Sequence, residues 1–141
     1  MILIKPWNQA VSEAHPIRTS VFVLEQGVPA ELELDQFDLK AHHALAYIKD
    51  QCIGTARLVE QLDGKGQIGR MAVLNSHRKQ GIGRQLLSAL IELGRFRGIV
   101  EFELHAQVSA IPFYEKFGFL PYGSIYDEAG IPHRNMMLLL K

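Results

Sequence analysis

QIGRMAVLNSHRKQGIGRQ, residues Gln67 to Gln85, decides the fold. Gln67 to Leu74 reads as a strand, apolar enough to lie in a sheet. Arg78-Lys79-Gln80-Gly81-Ile82-Gly83-Arg84 then opens a helix over residues 81–97. Ile82, Leu86, Leu87, Leu90, Ile91 and Leu93 fall on one face of it, and Gly98 stops it, as Gly does just past a C-terminus. A helix N-terminus offers unpaired N–H groups and a partial positive charge, which suits a phosphate. Gly81 and Gly83 let the backbone close on such a ligand, and Arg78, Lys79 and Arg84 add positive charge. Neither standard phosphate motif fits. There is no GxxxxGK[ST], and Leu86 stands where a dinucleotide fingerprint needs its third glycine. What remains is RxxGxG at a strand–helix junction.

Outward from this junction the chain is regular. Upstream, His42–Lys49 and Cys52–Val59 read as strands joined at Asp50-Gln51 by a tight hairpin, with a second turn at 62–66. Further upstream, residues 2–7 read as a short strand stopped by Pro6. Residues 9–24 read as an amphipathic helix that Pro16 kinks or restarts. Residues 27–40, rich in acid, read as an irregular loop with at most one helical turn. Downstream, Val100–Ala106 is a strand, and Ser109 caps a short helix to Lys116 that tolerates Pro112 in its first turn. Residues 119–126 and 134–140 are strands joined by a turn over 127–133, which holds His133. The order is β-α-loop-βββ-α-β-α-ββ. The fold class is α/β, with a mixed central sheet flanked by helices rather than a doubly wound one.

Composition narrows the function. A chain of 141 residues with 48% hydrophobic and 21% charged residues suits one compact domain, residues 1–141, without staples. Fifteen basic residues balance fifteen acidic ones, which argues against a nucleic-acid partner and leaves self-association unopposed, as monomer or homodimer. The single cysteine, Cys52, excludes a disulfide framework and a Cys-rich zinc site. No neighbouring basic cluster lowers its pKa, so it reads as a small packed residue. His42 and His43 point to opposite faces of a strand and do not chelate together, so no metal is expected. With no signal peptide and no long apolar run, the expectation is a cytoplasmic protein with no membrane partner.

The RKQGIGR segment resembles the acyl-coenzyme A signature of the GNAT N-acetyltransferase superfamily, (Q/R)xxGx(G/A). A second block, QVSAIPFYEKFGF over 107–119, resembles the superfamily's next helix, NxxAxxFYxxxGF, with Gln107 where Asn is common. Asn75 likewise stands where Pro is frequent. The N-terminal half (Ile17 to Pro29, then Glu33, Asp35, Asp38 and His42) and the ending Gly130-Ile131-Pro132-His133 with Met136 are similar to small bacterial members of the ElaA/YjcF-like type.

The resemblance implies a splayed sheet with acetyl-CoA in its gap, and acetyl transfer to a primary amine of a small molecule or peptide by direct attack. It implies cofactor contacts at Met71, Ala72 and Val73, at Arg78, Lys79, Gln80, Gly81, Ile82, Gly83 and Arg84, and at Gln107, Ala110, Phe113 and Tyr114. Backbone groups of 69–73 would pair with the pantetheine arm as a missing strand, and one N–H would polarise the thioester carbonyl. Tyr114 is the implied acid. The leaving thiolate, whose conjugate acid has a pKa near ~8.5, needs a proton, and a phenol held nearby supplies it. The alternative for Tyr114 is an amphipathic core tyrosine beside Phe113 and Phe117. A base is also needed, since an alkylamine with a pKa near ~10.4 is almost wholly protonated at neutral pH. His133, Glu25 and His105 are the candidates, in that order, with a water chain as an equal alternative.

Acidic residues Glu31, Glu33, Asp35 and Asp38, with Glu25 and His133, are candidates to receive a cationic acceptor, against the alternative of a solvated loop. Two other classes stay open. One is a non-catalytic acyl-CoA sensor. The other is a nucleotide-binding module, against which the missing Lys-Ser/Thr pair argues.

Overall fold

The computed structural model describes residues 1–140. β1 (Ile2–Lys5), β2 (His42–Ile48), β3 (Gln51–Glu60), β4 (Lys65–Val73), β5 (Glu101–Gln107), β6 (Leu120–Glu128) and β7 (Ile131–Leu139) form one sheet in the order β1-β2-β3-β4-β5-β7-β6. All neighbours are antiparallel except β4 and β5. The sheet is therefore mixed, as the strand order in the chain predicts.

Helix α1 (Trp7–Arg18) covers one face. Helices α2 (Ala30–Glu33), α3 (Ile82–Phe96) and α4 (Ile111–Glu115) follow. Ile82, Leu86, Leu87, Leu90 and Ile91 of α3 are buried against Ile53, Leu58, Ile68 and Phe102 on the face opposite α1. Burial of each such aliphatic side chain stabilises the fold by about 1.5–3 kcal/mol. Strand β4 shows both faces in succession. Met71 and Val73 pack on the α3 side, whereas Ala72 packs with Ile17 and Val21 on the α1 side.

A gap opens in the sheet where β4 and β5 part. Their parallel register runs only from Lys65↔Glu101 to Ile68↔Leu104. Just beyond, Arg57 pairs with Gly69 and Thr55 with Ala72, so Ala56 faces both Arg70 and Met71. This is a β-bulge, and Arg70 takes φ +49° within it. The bulge bends β4 away from β5, and the edges of 70–73 and 105–107 are left facing a cleft.

Three local expectations are corrected. The helix expected over 9–24 is α1 followed by a π-helical stretch, Thr19–Glu25, which widens the turns where the chain meets the cleft. Ser109 does not cap α4. Val108–Ala110 is a 3₁₀ turn and Ala110 takes the N-cap position. The turn expected over 127–133 is only Ala129-Gly130, with φ +54° and +82°, the pair of positive values that a tight two-residue hairpin requires. His133 therefore lies in β7, not in the turn.

Candidate active site

The chain turns into α3 through two left-handed residues, Lys79 (φ +64°) and Gly81 (φ +79°). The first α-helical bond there runs from the Gln85 N–H to the Gly81 carbonyl at 3.1 Å. The N–H groups ahead of it, at the start of the helix, are the ones a helix leaves free. A cleft of about 380 Å³ opens at this end, lined by Lys79, Gly81, Gly83, Arg84, Lys116 and Phe117 among others. A Cβ on Gly83 would lie 3.5 Å from the Phe113 ring and 3.7 Å from Met71 Sδ, in ordinary van der Waals contact with both. Lys116 is a cation that sequence reasoning missed, although it sits inside the second motif. Arg78 is less free than expected. Its guanidinium donates to the Val73 carbonyl (3.0 Å) and to Glu25 (2.6 Å). Glu25, a base and acceptor candidate, is thereby tied to the loop that leads into α3.

A larger cleft of about 730 Å³ passes through the gap between β4 and β5. Ala110, Phe113 and Tyr114 line it from the α3–α4 side. Val21, Phe22, Gln26, Val28 and Leu32 line it from the α1 side, with His105, Gln107, Glu128 and His133 on the sheet. Gln107 donates to Gln26 across it at 2.9 Å. Met71, Ala72, Val73 and Arg78 line it as well, so most residues expected at the cofactor surround one continuous space. Gln80 lies next to Gly81 in the loop but does not line either cleft.

Tyr114 stands apart from the other three tyrosines. Tyr47 donates to Glu13, Tyr122 to Glu103 and Tyr126 to Asn135. The Tyr114 hydroxyl meets only the thioether of Met71, at 3.9 Å, a weak acceptor. Burial pushes its pKa up to about 12, so it is a protonated donor at neutral pH. Cys52 is half-buried, and burial pushes its thiol up to about 11, against any role as a nucleophile.

The acidic loop is not an open cation receptor. Glu33 and Asp38 are each 2% exposed and are held by Arg18, which donates to both. Asp35 lines the cleft, yet both its oxygens accept from Arg57 at 2.7 Å, and one also from Arg70 at 3.1 Å. Burial would raise the Asp38 carboxyl, but the Arg18 and Arg57 guanidinium groups hold it down at about 2. Three carboxylates and three guanidiniums neutralise one another, as buried charges must. Glu33 and Asp35 thus fasten the 27–41 segment over the sheet. Glu31 is exposed.

On the sheet, β5 and β7 bring His105, Gln107 and His133 onto one face. Glu128, which sequence reasoning passed over, lies between the histidines. Its Oε1 is 3.2 Å from His105 Nδ1 and its Oε2 is 3.6 Å from His133 Nε2. The signal for it in the sequence was its place two residues before Gly130, where a tight hairpin folds it back beside His133.

A family model described as "Acetyltransferase (GNAT) domain" matches residues 9–140. The chain is 37% identical over 131 residues to the uncharacterized N-acetyltransferase YjcF of Bacillus subtilis, covering 92% of this chain and 93% of that protein. Two solved structures share the fold along nearly the whole chain. An acyl-CoA N-acyltransferase from Pseudomonas aeruginosa superposes with TM-score 0.85 at 30% identity, covering 97% of each chain. Escherichia coli ElaA superposes with TM-score 0.87 at 28% identity, covering 97% of this chain and 98% of the other.

Proposed function

Because the chain belongs to the GNAT acetyltransferase family, and is an acyl-CoA-dependent N-acyltransferase of the ElaA/YjcF-like type, we propose that it transfers acetyl from acetyl-CoA directly to a primary amine of a small molecule or peptide. The observation that carries this reading is the cleft through the parted strands, with a phosphate-suited loop at one end and a protonated Tyr114 beside it. The residues present fit the cosubstrate. Lys79, Arg84, Lys116 and the free N–H groups at the start of α3 suit its pyrophosphate. The edge of β4 over 70–73, unpaired by β5, suits the amides of its pantetheine arm.

Acetyl-CoA supplies an activated acyl group on a thiol leaving group. An N–H of the β4 edge polarises the carbonyl. Tyr114 gives its proton to the departing thiolate. The acceptor enters from the α1 side, so the two substrates meet at the gap from opposite faces. One sheet thus carries both sites, and a single domain suffices. The working compartment in this reading is the cytoplasm, where acyl-CoA is available; among the described residues no helix is long and apolar enough to cross a membrane.

The test is thermal unfolding with acetyl-CoA or ATP, followed by free-CoA release with a panel of primary amines. Acetyl-CoA at about 100 times its Kd adds about 2.7 kcal/mol to stability, a rise of about 8 °C in Tm. ATP has no such effect, and amines stimulate CoA release. Stabilisation by ATP alone would overturn the reading. So would acetyl-CoA binding with no amine-dependent release, which describes a sensor.

A further inference from the structure

The hairpin of β6 and β7 holds an arrangement that neither the cofactor loop nor Tyr114 uses. The register sets Gln107, His133 and Tyr126 side by side on the face that lines the large cleft. His133 Nδ1 donates to the Ile131 carbonyl at 2.7 Å. A carbonyl can only accept, so the proton of the neutral imidazole is on Nδ1 and Nε2 carries a lone pair. The ring stacks on Tyr126, and its side chain is 9% exposed. Nε2 faces Glu128 Oε2 at 3.6 Å, beyond hydrogen-bond reach. Two acceptors thus face each other on the wall of the cleft. A group with two N–H donors satisfies both, and a primary ammonium is such a group.

We propose that Glu128 and His133 form the acceptor's amine subsite, with the base built into it. This rests on the acetyl-transfer reading above. Glu128 Oε2 accepts one N–H of the ammonium, and His133 Nε2 takes another of its protons. The freed amine nitrogen forms a bond to the thioester carbonyl carbon, the C–S bond breaks, and the thiolate takes the Tyr114 proton. The nitrogen, cationic after the attack, loses its second proton, which restores the Tyr114 phenol, and His133 passes its own proton to solvent, so one proton is released per turnover.

His105 is a positioning residue. It sits at the other carboxylate oxygen of Glu128 at 3.2 Å, and it also approaches Glu103 at 3.5 Å. The other charged groups nearby are engaged. Arg134 donates to the Gly123 carbonyl, and Arg57 and Arg70 are held by Asp35. Val21, Phe22, Val28 and Leu32 form the opposite wall, which selects an amine on an apolar stem.

The experiment measures CoA release from acetyl-CoA with hexylamine, benzylamine and tyramine from pH 6 to 10. Wild type uses the ammonium form, so with hexylamine its kcat/KM is nearly flat between about pH 7.5 and 9.5, below an alkylamine pKa of ~10.4. His133→Gln lowers kcat/KM at pH 7 by about 10²–10³-fold. Its rate climbs about tenfold per pH unit, because only free amine from solution reacts. Glu128→Gln raises KM for the amines about tenfold and leaves acetyl-CoA affinity unchanged.

Nitrogen NMR of the unmutated protein gives a reading that needs no variant. Long-range couplings put the neutral His133 proton on Nδ1, and hexylamine perturbs Nε2. A His133→Gln enzyme with wild-type rate and pH profile overturns the inference, as does a proton on Nε2. Both outcomes leave acetyl transfer intact. Acetyl-CoA binding with no amine of the panel acetylated by wild type overturns the transfer reading and the inference together.

Discussion

Tyr114, on α4, holds its hydroxyl in a position that no other tyrosine of the chain shares. Its ring packs edge-on against Phe113 and Phe119, and its hydroxyl reaches Met71 on the strand that borders the gap. Burial keeps the phenol protonated until far above neutral pH. Tyr114→Phe keeps the ring and removes only the proton donor. Acetyl-CoA affinity by calorimetry is expected to stay within about threefold, while kcat falls about 10²-fold. Unchanged kcat would assign the residue to the core alone. The position was legible in the sequence because a motif carried it. The base proposed here was less legible: His133 stands out in the sequence only by its nearness to a turn, and the Ile131 carbonyl and Glu128, on which its proposed role depends, come beside it only once the hairpin is tight.

At the scale of elements, α3 was the easiest part to read, because its apolar residues recur at helical spacing over four turns. Its register against β5 was hidden. A Cβ on Gly94 would fall 2.5 Å from Cζ of the fully buried Phe102. Alanine at this helical position gains about 1 kcal/mol in propensity. Overpacking costs about 1–3 kcal/mol, and the buried ring has no room to yield. Gly94→Ala is therefore expected to lower Tm by about 3–6 °C in a calorimetric scan. A raised Tm would mean that α3 sits further from the sheet than described. The π-helical stretch after α1 was not legible. It differs from an α-helix by one residue per hydrogen-bonded loop, and side-chain spacing over seven residues does not separate the two. The last turn reads longer in the sequence than it is because Pro132 looks like a breaker, although it sits as the second residue of β7.

Across the whole molecule, zero net charge hides two unlike arrangements. Positive charge at Lys79 and Arg84, as the motif suggested, and at Lys116, which it did not, lines the cleft at the start of α3. The acidic loop, by contrast, is neutralised from within by Arg18, Arg57 and Arg70. Those arginines stand 15 to 35 positions from the carboxylates they pair with, so no local pattern revealed the pairing. In the proposed subsite the acceptor's charge is met instead at Glu128, on the far side of the gap.

The central claim is that both substrates occupy this gap together and react without an acyl-enzyme. Initial velocities over a grid of acetyl-CoA and amine concentrations test it most directly. Intersecting reciprocal plots, with no acetylated protein by mass spectrometry, are the predicted result. Parallel plots, with an acetylated side chain on the protein isolated without amine, would contradict it.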